Sequence, residues 1–197
     1  MTNNESLTRR IESLRSNREK AMFKDTIWKT SAPNYSIRIS STSHKGDFGE
    51  AIFKEIIDSK EAKDLGFKGA QIQDGTGPFD VLVSHETHGE VKVECKLATM
   101  DTNGGFQFNG IRKSREYDIL YCVGVGTSEF YHTLKTKAFC KKHLTTVMEK
   151  GNKDGFKYSV KPEKLLPLRT NEDNLFSGTA LLQDLISLIS KRDMKRG

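Results

Sequence analysis

Residues 77–96 read GPFDVLVSHETHGEVKVECK. Two runs of apolar and β-branched residues, 79–83 and 90–97, flank a polar turn at 85–89, which is the signature of a β-hairpin. Side chains alternate along a strand. Val91, Val93 and Cys95 therefore share one face of the second strand, and Lys92, Glu94 and Lys96 share the other. The apolar set suits a core. The polar set presents a carboxylate and an amine two residues apart, about 7 Å along the strand. Asp80 opens the first strand just after Pro78. If the two strands pair as neighbours, Asp80 stands beside Glu94.

Two adjacent carboxylates attract a hard divalent cation. Oxygen ligands suit Mg²⁺, and the ion relieves the repulsion between the carboxylates. Mg²⁺ keeps several waters and takes one or two protein carboxylates plus a substrate phosphate. A neighbouring Lys96 can orient or deprotonate an attacking water, or stabilise charge on a phosphate. The competing reading is an amphipathic strand whose Lys and Glu are simply solvated.

The set Pro78-Phe79-Asp80 followed by Glu94-Cys95-Lys96 resembles the PD-(D/E)xK nuclease superfamily. It departs from the strictest pattern by one residue, because Phe79 separates Pro78 from Asp80. The resemblance implies an α/β fold of the restriction-endonuclease type, a central mixed β-sheet flanked by α-helices. It implies Asp80 and Glu94 as metal ligands, the main-chain carbonyl of Cys95 as a further ligand, and Lys96 as the water-activating residue. Members often carry an acidic residue on the preceding helix, which maps to Glu50. Asp47 and Glu50 also have the spacing of a helix-capping pair, so Glu50 has two readings. A third stretch, GGFQFNGIRKSREYD at 104–118, resembles the segment after the catalytic strand in some restriction-type nucleases. Its Gln107, Asn109, Arg112, Lys113 and Arg115 offer amide and guanidinium groups to phosphates or base edges. Arg112 is the candidate for a place near the scissile phosphate.

The resemblance implies Mg²⁺-dependent hydrolysis of double-stranded DNA, in the manner of a type II restriction endonuclease. A homodimer is then expected, since two sites cut two strands of a palindrome. A structure-selective, repair or nicking nuclease on the same fold, such as a junction resolvase, is the alternative. So is a DNA-binding module with a vestigial site.

The rest of the chain fits that frame. Its 197 residues carry a net charge of +6, with 35 % hydrophobic and 29 % charged residues. The excess sits at the ends: residues 1–40 hold eight basic and four acidic residues, and 191–197 hold four basic residues and Asp193. Such asymmetry suits a polyanion, and equally a solvated helix face and a basic tail. The longest apolar run, 119–125, falls far short of the ~20 residues that span a bilayer, so no membrane partner is expected. Residues 1–10 lack the apolar region of a secretory signal. Cys95, Cys122 and Cys140 show no CxxC spacing, which suits a reducing cytosol and a cytoplasmic location. No Walker-type loop, GxGxxG or GxSxG occurs, so no nucleotide cofactor is expected.

The expected organisation is a basic helical segment and linker at 1–45, a nuclease core at 46–190 and a basic tail at 191–197. Apolar spacing predicts helices over 7–28, 46–60, 106–116, 135–150 and 177–191. It predicts an extended piece at 35–39 and strands at 70–73, 118–125 and 156–160 besides the hairpin. Trp28 is expected to anchor the N-terminal segment. His85 and His88 are expected to sit in a surface turn.

Overall fold

The structure, a computed structural model, describes residues 27–75, 77–149, 152–170 and 176–194. The expected helix at 7–28, but for its last two residues, and the last three residues of the basic tail lie outside these. Trp28 is buried and its indole N–H donates to Met100 O at 2.9 Å, so it does anchor its segment. The helices α1 (Tyr35–Ile39), α2 (Thr42–Asp58) and α3 (Lys60–Asp64) follow. The 35–39 segment is thus a short helix and not an extended piece.

Ser41 starts α2: its hydroxyl accepts from the His44 N–H, an N-cap worth about 1 kcal/mol. The helix therefore begins well before the expected position 46. Asp47 and Glu50 lie inside it, and the capping-pair reading of Glu50 falls. Ile52, Phe53, Ile56 and Ile57 are buried on one face.

The strands β1 (Phe67–Ile72), β2 (Val81–His85) and β3 (Gly89–Thr99) form an antiparallel meander. β4 (Phe106–Arg112) leaves it, and β5 (Ile119–Val125) returns to pair in parallel with β3. β6 (Phe130–Thr136), β9 (Leu166–Thr170) and β10 (Phe176–Ser177) extend the sheet antiparallel. The strand order is β1-β2-β3-β5-β6-β9-β10. A second, three-stranded sheet, β4-β8-β7, is built from β4, β7 (Thr145–Glu149) and β8 (Asn152–Val160). Helices α4 (Lys137–His143) and α5 (Thr179–Asp193) complete the described elements with a 3₁₀ turn at Pro162–Lys164.

In this mixed α/β architecture the two longest described helices flank one face of the main sheet, and the short α4 reaches the other through Cys140. α2 and α5 bury Phe53, Ile56, Leu181, Leu182 and Leu185 against Val81, Val83, Val91, Val93, Tyr121 and Val123. Each such side chain contributes about 1.5–3 kcal/mol. The opposite face, expected to be helical, is covered by the small sheet. Phe106, Phe108, Ile111 and Phe156 pack there on Ala98, Leu120 and Cys122. β5 is buried on both faces, as its unbroken apolar run suggests.

Two expected helices are strands for local reasons. In β4, buried Phe106 and Phe108 alternate with exposed Gln107 and Asn109, a period of two. Gly110, at φ +71°, makes an irregularity that turns Ile111 back inward. Among the described residues of the 135–150 stretch seven are helical, begun by the Thr136 hydroxyl accepting from Phe139 N–H. The β-branched run Thr145, Thr146 and Val147 then continues as strand.

Candidate active site

The β2–β3 register pairs Val81 with Val93, so Asp80 falls opposite Glu94. The Asp80 N–H donates to Val93 O at 3.0 Å, and the Cys95 N–H donates to Asp80 Oδ2 at 2.9 Å. Asp80 is 8 % exposed and Glu94 is fully buried. On the polar face of β3, Glu94 and Lys96 are therefore withdrawn from solvent, while Lys92 stays partly exposed beside Glu116.

Lys96 reaches both carboxylates. Its Nζ lies 2.6 Å from Glu94 Oε1 and 3.6 Å from Asp80 Oδ2. Arg115 joins them from the loop after β4. Its Nη1 donates to Asp80 Oδ1 at 2.7 Å and to Glu94 Oε1 at 3.2 Å, and its Nη2 donates to Gly77 O at 2.7 Å. The loop is tied down on both sides of Arg115. Glu116 N–H donates to Pro78 O and Lys113 N–H to Asp154 O, both at 2.8 Å. Ser114 Oγ donates to Asp154 Oδ2 at 2.8 Å, and the Lys137 ammonium donates to the Arg115 carbonyl.

Burial pushes the Glu94 carboxyl above the ordinary carboxylate range, against the pull of Lys96. Burial alone would lower Lys96, but Glu94 and Asp80 outweigh it and hold the amine as an ammonium. Glu50 is pushed up to about 7, first by burial and then by the charges of Asp80 and Asp47. It projects from α2, which approaches β3 closely because Gly49 packs on Leu97; a Cβ at Gly49 would lie 3.3 Å from Leu97 Cβ. The Cys95 side chain lies in the core beneath α2, where burial raises its thiol. Only its main-chain carbonyl remains to serve a metal.

Asp80, Glu94 and Lys96 are thus brought together, with Glu50 within electrostatic reach. Among the described residues no three His, Cys, Asp or Glu side chains are arranged to hold a metal ion. Asp80 and Glu94 do meet on one point, the Arg115 Nη1 atom. Glu94 Oε2 is buried and receives no hydrogen bond, although Nη1 stands 3.1 Å from it. A pair of buried carboxylates with an oxygen to spare fits a Mg²⁺ site completed by a main-chain carbonyl, water and substrate.

The five residues expected to contact DNA separate. Gln107, Asn109 and Arg112 are exposed on β4, and Gln107 donates to Asp101 Oδ2 at 3.2 Å. Lys113 places its ammonium 5.0 Å from the Phe156 ring centre. Of the five, Arg115 is the one bonded to the Asp80 and Glu94 carboxylates. Sequence reasoning missed Lys137, which holds the Arg115 carbonyl; it lies 22 residues further along the chain, and no local pattern marks it. His85 is buried and not part of a surface turn: its Nε2 pairs with Leu65 O at 3.0 Å. His88 Nδ1 pairs with Asp193 Oδ2 at 2.8 Å, and Arg192 donates to His88 O and Glu90 O, each at 2.9 Å. These contacts latch the hairpin to α5.

No protein-family model matches the chain, and no curated protein matches it. Among solved structures, a bacterial homing endonuclease, I-Ssp6803I, aligns with 77 % of this chain and 99 % of its own, at 14 % identity and a TM-score of 0.42. No helix among the described residues is long and apolar enough to cross a membrane.

Proposed function

We propose that the chain is a Mg²⁺-dependent endonuclease that hydrolyses phosphodiester bonds of double-stranded DNA at defined sites. The observation that carries this reading is the meeting of Asp80, Glu94 and Lys96, with Arg115 bonded to both carboxylates. Asp80, Glu94 and the Cys95 carbonyl would hold the ion, with Glu50 nearby. When bound, Mg²⁺ supplies polarisation of the phosphate and stabilisation of the leaving oxygen.

The protein's own groups do the rest. Hydrolysis adds water across a P–O bond, leaving a phosphate on one product and a hydroxyl on the other. Lys96, beside both carboxylates, would orient or activate the attacking water and offset charge building on the phosphate. Asp80 and Glu94 are buried, which lowers the local dielectric and strengthens these interactions. Two copies related by a two-fold axis would place one such site on each strand of a palindrome.

The test is cleavage of unmethylated phage DNA with Mg²⁺, beside a Lys96→Ala control. Discrete fragments from the wild type alone are expected, and end sequencing then identifies the site. Intact DNA that nonetheless binds tightly, with four-way and nicked duplexes also uncut, would refute the reading.

A further inference from the structure

Arg115 stands where a divalent ion would be held. Its Nη1 contacts Asp80 Oδ1 at 2.7 Å, Glu94 Oε1 at 3.2 Å and Glu94 Oε2 at 3.1 Å. These are the two carboxylates on which the proposed reaction depends, and the inference rests on that reading. Asp80, Glu94, Lys96 and Arg115 together are electrically neutral. A buried carboxylate such as Glu94 needs a cation beside it, since an unpaired buried charge is costly. A second cation on the same oxygens meets the opposite difficulty, because like charges at this separation repel strongly in a poorly solvated site.

The attachment of Arg115 is divided in a way that suits exchange. Its main chain is pinned by Lys137 to the Arg115 carbonyl, and its neighbours by Glu116 to Pro78 and by Lys113 and Ser114 to Asp154. The guanidinium hangs from this fixed point on a long flexible stem. Its side chain is 14 % exposed, against none for Glu94, so it lies on the solvent side of the buried carboxylate. Besides the carboxylates it donates to the main-chain Gly77 O. A guanidinium also matches phosphate oxygens in a bidentate fashion.

We infer that Arg115 is a resident cation that a divalent ion must displace from Asp80 and Glu94, and that the displaced guanidinium is taken up by the substrate phosphate. Metal and DNA then favour each other. The metal sends Arg115 to the phosphate, and the phosphate draws Arg115 off the carboxylates. Linkage makes the effect reciprocal. The chain alone binds the ion weakly and loads it fully only with DNA in place.

The experiment titrates Ca²⁺ into the full chain by calorimetry, with and without a duplex oligonucleotide that the protein binds. Wild type is compared with Arg115→Met and Arg115→Lys. Duplex is expected to tighten Ca²⁺ binding to the wild type by about tenfold, within the usual range for coupled sites. Arg115→Met is expected to bind Ca²⁺ about tenfold more tightly than wild type without DNA, and to lose most of the gain from DNA. Its melting temperature falls in EDTA and rises more than the wild type's on adding Ca²⁺. Arg115→Lys, which keeps the charge and packs with less disruption, is expected to fall between the two and serves if Arg115→Met does not fold. Equal or weaker Ca²⁺ binding by the Arg115 variants, with wild type binding the ion, overturns the exchange and leaves the metal site standing. Absence of Ca²⁺ binding in every protein, with or without DNA, overturns both.

Discussion

Replacing Glu50 by Gln should make the metal-free protein more stable at neutral pH. Glu50 is pushed from 4.5 to about 7 by burial and by Asp80 and Asp47, with Lys96 and Arg115 pulling the other way. A carboxylate with a raised folded-state pKa contributes stability that is fully present below its unfolded value. That stability is lost as pH rises through the folded value. The window is therefore 4.5 to about 7. At about 1.36 kcal/mol per pKa unit, the full shift corresponds to about 3 kcal/mol. Glu50 is only half-buried, so solvent screening reduces this to about 1–2 kcal/mol. Gln keeps the size and the hydrogen-bonding capacity and carries no charge at any pH. The assay is urea unfolding in EDTA at pH 5, 6, 7 and 8, read as the midpoint at constant slope. Glu50→Gln and wild type should nearly coincide at pH 5 and separate progressively, with the variant about 1–2 kcal/mol more stable at pH 8. A difference of the same size at pH 5 and pH 8, or a less stable variant at pH 8, would refute the placement of Glu50 against the Asp80 carboxylate.

Two further predictions concern the frame around the site. His132 is buried on β6 and its pKa is lowered to about 4, by burial against a weaker opposing pull from Asp184. A depressed histidine contributes stability that is present above its unfolded value of 6.5 and lost as pH falls through about 4. His132→Phe should therefore flatten the acid side of the stability curve by about 3 kcal/mol in total; thermal melts at pH 7 and pH 4.5 check this, and an unchanged acid slope counts against it. Gly124 on β5 lets the small sheet approach, since a Cβ there would lie 2.8 Å from the Phe106 ring. Phe106 is 1 % exposed and has nowhere to move, so Gly124→Ala should cost about 1–3 kcal/mol by overpacking. A melting temperature equal to wild type would show that the sheets are less tightly apposed than described.

The hairpin and its polar face were legible because the code for a strand is local. Alternation places Glu94 and Lys96 together whatever lies above them, and a short hairpin loop leaves little freedom in register. Hence the pairing of Asp80 with Glu94 follows from 77–96 alone. Helices α2 and α5 were legible for the same reason, from apolar residues spaced at the helical period. The start of α2 was not, because Ser41 caps it from a polar stretch that reads equally well as loop. The strands β4 and β7 were missed because short apolar runs with mixed spacing suit either structure. The β8 partners of β4 lie some forty to fifty residues away, whereas β7 meets β8 within a dozen residues, and in both cases packing against β8 decides the outcome.

The sequence by itself determined which chemical groups are available and which of them share one strand: Asp80 at the mouth of the hairpin, Glu94 and Lys96 on one face. Tertiary structure decided what that face meets. The loop between β4 and β5 carries Arg115 onto it, and Glu94 and Lys96 become a buried ionic site while Lys92 stays partly exposed. Tertiary structure also chose Arg115 over Arg112 as the guanidinium in that site. Arg112 ends β4 and Arg115 lies three positions on in the following loop, and the tethers to Pro78, Asp154 and Lys137 select between them. Those tethers join residues 22–41 positions apart, a span over which no local pattern specifies direction. The choice is made when the loop closes and its backbone groups find partners that only the folded chain brings within reach.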